Sequence, residues 1–110
     1  MNVDGISNET QSLPSEELLE LLGDRYARRV LQTIHEEPMA AQQIAEAVEI
    51  EISKPTVYRR LDQLERAGLV ASETLFDAGG NHYRRYRAIL ESVTLRVGAD
   101  GLTASVRTDQ

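Results

Sequence analysis

Hydrophobic residues in the first two thirds of the chain recur at the three- and four-residue spacing of an amphipathic helix. Segments with this pattern lie at residues 13–22, 25–37, 39–48 and 53–67. Residues suited to capping stand at the start of three of them, at Ser15, Asp24 and Ser53. Pro38 follows the second segment and Gly68 follows the fourth, as expected where helices stop. The pattern therefore predicts four helices.

Beyond Gly68 apolar and polar residues alternate, which is the period of a β-strand. Residues 69–76 and 82–89 are rich in β-forming residues and flank the turn sequence DAGGN, so they predict a hairpin over 69–89. Because the predicted helices are followed by hairpins, the predicted fold class is α+β.

A second hairpin is predicted around the turn sequence GADG, with position 97 opposite 102, 95 opposite 104 and 93 opposite 106. This register places six apolar side chains on one face: Val93, Leu95, Val97, Leu102, Ala104 and Val106. Because a two-stranded hairpin is marginal alone, the face must cover something. Packing on the chain's own helices and burial in a homodimer are both open.

These elements predict one compact domain in the 110 residues. We expect a disordered leader over residues 1–12, a domain over 13–90, and a C-terminal hairpin over 91–108 as the candidate dimerisation element.

The composition excludes several classes of chemistry. There is no cysteine, which rules out disulfides, thiolate metal ligands and cysteine nucleophiles and is typical of a reducing cytoplasm. No apolar run approaches the roughly 20 residues that span a bilayer, and there is no glycine-rich phosphate loop. The histidines are limited to His35 and His82. We therefore predict a cytoplasmic protein that is not an enzyme and binds no metal, cofactor or membrane.

The net charge of −6 is unevenly distributed along the chain. Residues 1–52 hold eleven acidic residues and three arginines, whereas residues 53–90 hold seven basic residues and four acidic ones. A polyanion would therefore approach the middle segment. The acid excess, with a single lysine, a single Phe and no Trp, is typical of proteins from salt-loving archaea, and chance bias in a small chain is the alternative.

The helix predicted at residues 53–67 has an apolar stripe on one side and a polar face on the other. At about 100° per residue, Leu61 and Leu64 lie close to Val57 and mark the buried side. Arg60 lies nearer the edge of the core, where its stem can pack while its head reaches a phosphate. The remaining face and its flanks carry hydroxyl, phenol, guanidinium and amide groups, on Thr56, Tyr58, Arg59 and Gln63. Such groups can hydrogen-bond to base edges in a major groove.

The run "IAEAV…ISKPTVYRRLDQLERAGLV", followed by a glycine-tipped hairpin with "YRRYR", resembles the winged helix-turn-helix of ArsR-type transcriptional regulators. The segment "LLGDRYARRVLQTIHEEPMAAQQIAEAV" resembles the form found in salt-loving archaea. The resemblance covers about residues 15–90. It implies a winged helix-turn-helix, here with an extra C-terminal hairpin, and a sequence-specific regulator that binds double-stranded DNA.

In that family the helix at 53–67 would enter the major groove, and the hairpin at 69–89 would be the wing against backbone or minor groove. By motif the recognition role falls to Ser53, Lys54, Thr56, Tyr58, Arg59 and Arg60, and Pro55 and Gln63 join them on the exposed face. The wing role falls to Asn81, His82, Arg84 and Arg85. Because one recognition helix reads only a few base pairs, we also expect a homodimer on two half-sites. The segments expected to form it are the C-terminal hairpin and the leading helix, with Leu18, Leu19, Leu21 and Leu22.

The chain departs from the family pattern between the second and third helices of this motif. Ile44 and Ser53 are nine residues apart where about seven are usual, and the extra "EI" adds an acid beside the DNA-facing end. Metal-sensing members use cysteine pairs or sets of His, Asp and Glu, so metal sensing is not expected. The sequence identifies neither an operator nor a small-molecule effector, and it does not distinguish repression from activation.

Other interpretations remain open for single residues. Arg59 and Arg60 could pair with Asp62 or Glu65 on a solvated surface, and Tyr58 could pack at the core edge. Arg84, Arg85 and Arg87 fall on both faces of a strand, so at least one is predicted to pair with Glu73. His82 is expected to be a turn-end residue, and Glu73 with Asp77 is not expected to form a catalytic pair.

The alternative function is a winged-helix module for protein–protein contacts in a transcription or chromosome-segregation complex. The acidic first half of the chain would suit that function. A module of this kind would expose apolar residues on the helix at 53–67, whereas this sequence places polar ones there.

Overall fold

The helices follow one another in the predicted order, and each one turns an apolar stripe inward. The computed structural model describes residues 8–13 and 15–109. Its helices are α1 (Ser15–Gly23), α2 (Arg25–Glu36), α3 (Ala41–Ala47) and α4 (Lys54–Arg66). Its strands are β1 (Asn8–Leu13), β2 (Met39–Ala40), β3 (Val70–Phe76), β4 (His82–Ala88), β5 (Leu90–Gly98) and β6 (Gly101–Asp109). None of the helices in the described ranges is long and apolar enough to cross a membrane.

The strands form two antiparallel sheets of three strands each, in the orders β2-β4-β3 and β1-β6-β5. The first sheet carries the predicted hairpin, and the second carries the C-terminal hairpin. One hydrophobic core joins the helices to both sheets. Its members include Leu18, Val30, Ile34, Ile44, Val57, Leu61, Leu64, Leu69, Ala104 and Val106. The helix α4 thus packs on the core through Val57, Leu61 and Leu64, and its opposite side is exposed to solvent.

The prediction of a disordered leader over residues 1–12 is wrong for its second half. Asn8–Leu13 forms β1, which runs antiparallel to β6 from Asn8 opposite Asp109 to Leu13 opposite Ala104. Strand pairing satisfies backbone N–H and C=O groups and needs no apolar alternation, so the polar run NETQSL carried no signal for it. Residues 1–7 lie outside the described part.

The first helix starts at Ser15, where a capping residue was predicted, and Leu13 belongs to β1. The third helix begins later than the hydrophobic pattern predicts. Met39 and Ala40, predicted to open a helix, form β2, whose partners in β4 are Tyr86 and Arg85. The helix α3 begins at Ala41 because the side chain of Gln43 accepts a hydrogen bond from the Ala40 N–H at 2.9 Å.

The register predicted for the C-terminal hairpin is confirmed. Val97 lies opposite Leu102, Leu95 opposite Ala104 and Val93 opposite Val106. The strands are longer than predicted and reach residues 90 and 109. Packing on the chain's own helices holds for part of the apolar face, because Ala104 and Val106 are buried in the core, whereas Leu95 is 46% and Val97 85% exposed. Burial of the exposed part in a homodimer stays a prediction. The base of the hairpin therefore packs in cis, and its tip is uncovered in the single chain.

Candidate nucleic-acid interface

The start of α4 is set by local sequence. Ser53 occupies the N-cap position, and a proline follows in the first turn, where a missing N–H costs little. The Ser53 hydroxyl donates to the Thr56 hydroxyl at 2.9 Å, and its oxygen accepts no hydrogen bond from a backbone N–H of α4. The chain leaves the helix at Gly68, whose φ of 81° favours glycine.

The first turns of α4 expose the side chains that were predicted to read DNA. Lys54, Pro55 and Arg59 are exposed, Thr56 is half-buried, and Tyr58 is 42% exposed. Neither Lys54 nor Arg59 forms an ion pair with the described residues. Arg59 therefore does not form the surface ion pair with Asp62 that was the alternative to DNA contact, since Asp62 pairs with Arg66 at 3.0 Å. A polyanion would meet two uncompensated cations here.

Arg60 has a different environment from its neighbour. Its Nε donates to Oδ2 of Asp24 at 2.5 Å, and its Nη1 donates to the Gln63 side chain at 3.3 Å. The Arg60 side chain is only 20% exposed. The prediction that its stem packs at the core edge is confirmed, but its head meets a carboxylate. Arg60 thereby ties α4 to the start of α2, and it engages Gln63 as well.

The wing, which is the hairpin of β3 and β4, docks on the other flank of α4. Arg84 donates to Oε2 of Glu65 at 2.9 Å and to the Ser72 hydroxyl, and its guanidinium lies 5.6 Å from the centre of the Tyr86 ring. Arg85, opposite Glu73 in the sheet, donates to that carboxylate at 2.7 Å. The prediction that one of these arginines pairs with Glu73 is therefore confirmed. Both predicted wing arginines are engaged within the chain.

The wing tip is organised by Asp77. Its carboxylate accepts from the backbone N–H groups of Asn81 at 2.8 Å and of Gly79 at 2.9 Å. The hydrogen bond from Asn81 is the largest cause that places the pKa of Asp77 below its ordinary value. His82 packs on Phe76 with 4.5 Å between ring centroids, as a turn-end residue would. Asp77 thus holds the turn, and Glu73 holds Arg85.

The long connection between α3 and α4 is anchored at both ends. Val48 and Ile52 are buried, and the Val48 carbonyl accepts from the backbone N–H groups of Glu51 and Ile52. Of the two acids in the run VEIEIS, Glu51 pairs with Arg29 of α2 at 2.8 Å, whereas Glu49 is exposed. Ile50 is 97% exposed. The acidic charge of this connection is therefore compensated in part.

The exposed face of α4 lies between two flanking elements. Arg60 and Glu65 are five residues apart, so their side chains leave the helix about 140° apart. Arg60 contacts the start of α2, and Glu65 contacts the wing. The open face is the wider arc between them, of about 220°, and it carries Arg59, whereas the narrower arc is the buried stripe. The sequence did not predict either flanking contact, that of Arg60 with Asp24 or that of Glu65 with Arg84. The one related prediction was that Asp24 would cap α2.

Two comparisons with known proteins agree with this architecture. A family model described as a helix-turn-helix domain matches residues 22–73. The solved structure of the reduced form of the transcriptional regulator YodB from B. subtilis is similar, with 23% sequence identity and a TM-score of 0.58 over 71% of this chain and 74% of that one. No curated protein matches the sequence. The chain therefore has a winged helix-turn-helix fold, extended by a second sheet that contains the C-terminal hairpin.

Proposed function

We propose that this protein is a sequence-specific DNA-binding transcriptional regulator, with α4 in the major groove and the wing against the backbone or minor groove. The observation that carries the proposal is the polar, uncompensated start of α4. Lys54 and Arg59 present free charge there, and Tyr58 and Thr56 add hydrogen-bonding groups. Arginine and hydroxyl side chains on such a helix suit base edges and phosphates.

The protein-binding alternative is less well supported. A module of that kind would present apolar side chains on α4, and Tyr58 is the one large hydrophobic residue of this helix with substantial exposure. Elsewhere in the described chain, exposed apolar residues are scattered over α1, the connection, the wing and the C-terminal hairpin, at Leu19, Ile50, Phe76, Tyr83, Leu95 and Val97. The likeness to a transcriptional regulator of known structure also favours DNA.

We further propose that the regulator is a homodimer. The apolar row of β5 passes from half-buried Val93 to Leu95 and then to Val97 at the tip, and β5 is the edge strand of its sheet. An exposed apolar patch of this kind commonly marks an interface. A twofold pair would also present two copies of α4 to two half-sites.

Several finer assignments rest on sequence alone and are proposals. They are an ArsR-type regulator, an origin in a salt-loving archaeon, a cytoplasmic location and the lack of enzymatic activity. The motifs quoted above support the first, and the acid-rich, lysine-poor composition supports the second.

The decisive experiment compares Arg59→Ala with the wild type on a duplex selected from a random library. If Arg59 reads a base, the variant should bind about 1–3 kcal/mol more weakly and should lose preference at one position. Arg96→Ala is the matched control, because Arg96 is exposed on β5 and forms no ion pair with the described residues. Equal binding by the wild type and a Lys54/Arg59 double alanine variant would refute the proposal and favour the protein-binding module.

A further inference from the structure

Arg25, the first residue of α2, lies beside the start of α4. It lines a groove of about 390 Å³ together with Tyr26, Arg29, Glu51 and Ile52. Ile52 directly precedes Ser53, where α4 is capped. The contact of Asp24 with Arg60 places this end of α2 on the flank of α4 that faces away from the wing. A basic group therefore stands across the exposed helix face from the wing.

The carboxylates around this groove are already engaged with other arginines. Glu51 pairs with Arg29 at 2.8 Å, and Asp24 pairs with Arg60 at 2.5 Å. Arg25 itself is exposed and makes no ion pair in the described ranges. Its charge is therefore available to a ligand.

The Arg25 side chain is held in position by Tyr26. The guanidinium carbon lies 5.2 Å from the centre of the Tyr26 ring, and Nη2 donates to the phenol oxygen at 3.4 Å. An aromatic face holds a guanidinium while leaving its other N–H groups free, and those groups match two oxygens of one phosphate.

We propose that Arg25 is a further DNA contact, binding a backbone phosphate on the side of α4 opposite the wing, with Tyr26 as its positioning residue. This inference rests on the proposed function. A helix about 10–12 Å across fills a major groove about 12 Å wide, so a phosphate backbone lies along each of its flanks. The wing would meet one backbone and Arg25 the other. Arg25 would add affinity and fix orientation without reading sequence.

The test is a salt titration of the full chain with Arg25→Gln, followed by fluorescence anisotropy. Two labelled duplexes of equal length are used, one selected by the wild type from a random library and one of arbitrary sequence. Loss of one phosphate contact lowers the magnitude of the log–log salt slope by about 0.9. Binding should then be about eightfold weaker near 0.1 M salt and equal to wild type near 1 M, on both duplexes. Base preference in the selected duplex should not change.

Arg96→Gln is the matched control, since it makes the same charge change on the exposed face of β5 opposite Leu95 and Val97, away from the proposed dimer contact. Its slope should equal that of the wild type. Tyr26→Phe keeps the ring but removes the hydroxyl that accepts from Arg25, so it should give a smaller loss in the same direction. Thermal unfolding followed by circular dichroism should give wild-type midpoints for Arg25→Gln, because the side chain is exposed.

If Arg25→Gln had the same salt slope as the wild type, the inference would be overturned. The proposed function would still stand in that case, provided that the wild type bound the selected duplex specifically. Equal losses in Arg25→Gln and Arg96→Gln would also overturn it, because the effect would then be one of net charge. If the wild type bound neither duplex, the proposed function itself would fail, and the inference with it.

Discussion

Asp24 joins two helices through a single carboxylate oxygen, which makes it a sensitive point for perturbation. Its Oδ2 accepts from the Ala27 N–H at 2.9 Å, capping α2, and from Arg60 Nε at 2.5 Å, holding α4. Asp24→Ala removes both interactions. Loss of the cap costs about 1 kcal/mol. The paired side chains are 20% and 27% exposed, so the ion pair should add about 1 kcal/mol, the upper end for surface pairs.

The expected decrease in the free energy of unfolding is therefore about 2 kcal/mol, or roughly 10 °C in the thermal midpoint of a chain of this size. Urea unfolding at neutral pH, followed by circular dichroism, measures it. A double-mutant cycle with Asp24→Asn and Arg60→Gln isolates the ion pair, because asparagine keeps an acceptor for the cap. A coupling free energy below about 0.3 kcal/mol would refute the stabilising role assigned to the pair.

The same carboxylate predicts a dependence on pH. Burial alone would raise the pKa of Asp24, but hydrogen bonds from Arg60 and the Ala27 N–H outweigh it and leave the pKa below its ordinary value. The stabilisation is therefore complete above the pKa of the unfolded chain and is lost as the pH falls through the lower pKa of the folded one. The difference in stability between wild type and Asp24→Asn should shrink below about pH 4. A difference that stayed constant down to about pH 2 would contradict this account.

Two further predictions concern the hairpins. Leu95→Asp should dissociate the homodimer, because the substitution would bury a charge in the interface. Light scattering measures the mass of the particle in solution. A wild-type chain that was monomeric at micromolar concentration would refute the dimer. Glu65→Gln should lower stability by less than about 1 kcal/mol, because Arg84 is 55% exposed in the pair. It should also strengthen non-specific DNA binding, measured by anisotropy, because it frees Arg84 for a phosphate; unchanged affinity would show that Arg84 does not face DNA.

The elements that sequence determined by itself are those whose signals are local. Asp24 caps α2 as predicted, and Ser53 and Gly68 bound α4. The register of the C-terminal hairpin followed from alternation and one turn, because side-chain direction in a strand repeats every two residues and a slip would reverse the faces. The exposed polar start of α4 followed from helical geometry in the same way.

Tertiary structure decided the pairings between segments that are distant in sequence. The strand β1 exists only because β6 offers it an edge, more than 90 residues further on. Arg60 and Asp24 are 36 residues apart, and Arg84 and Glu65 are 19 apart, so no periodicity could assign these partners. Net charge per segment suggested that cations for DNA lie within 53–90, yet folding brings Arg25 from the acidic first half to the edge of α4. Local patterns specify which face of an element is apolar, whereas the charge that remains free on a surface depends on which carboxylates the fold brings within reach.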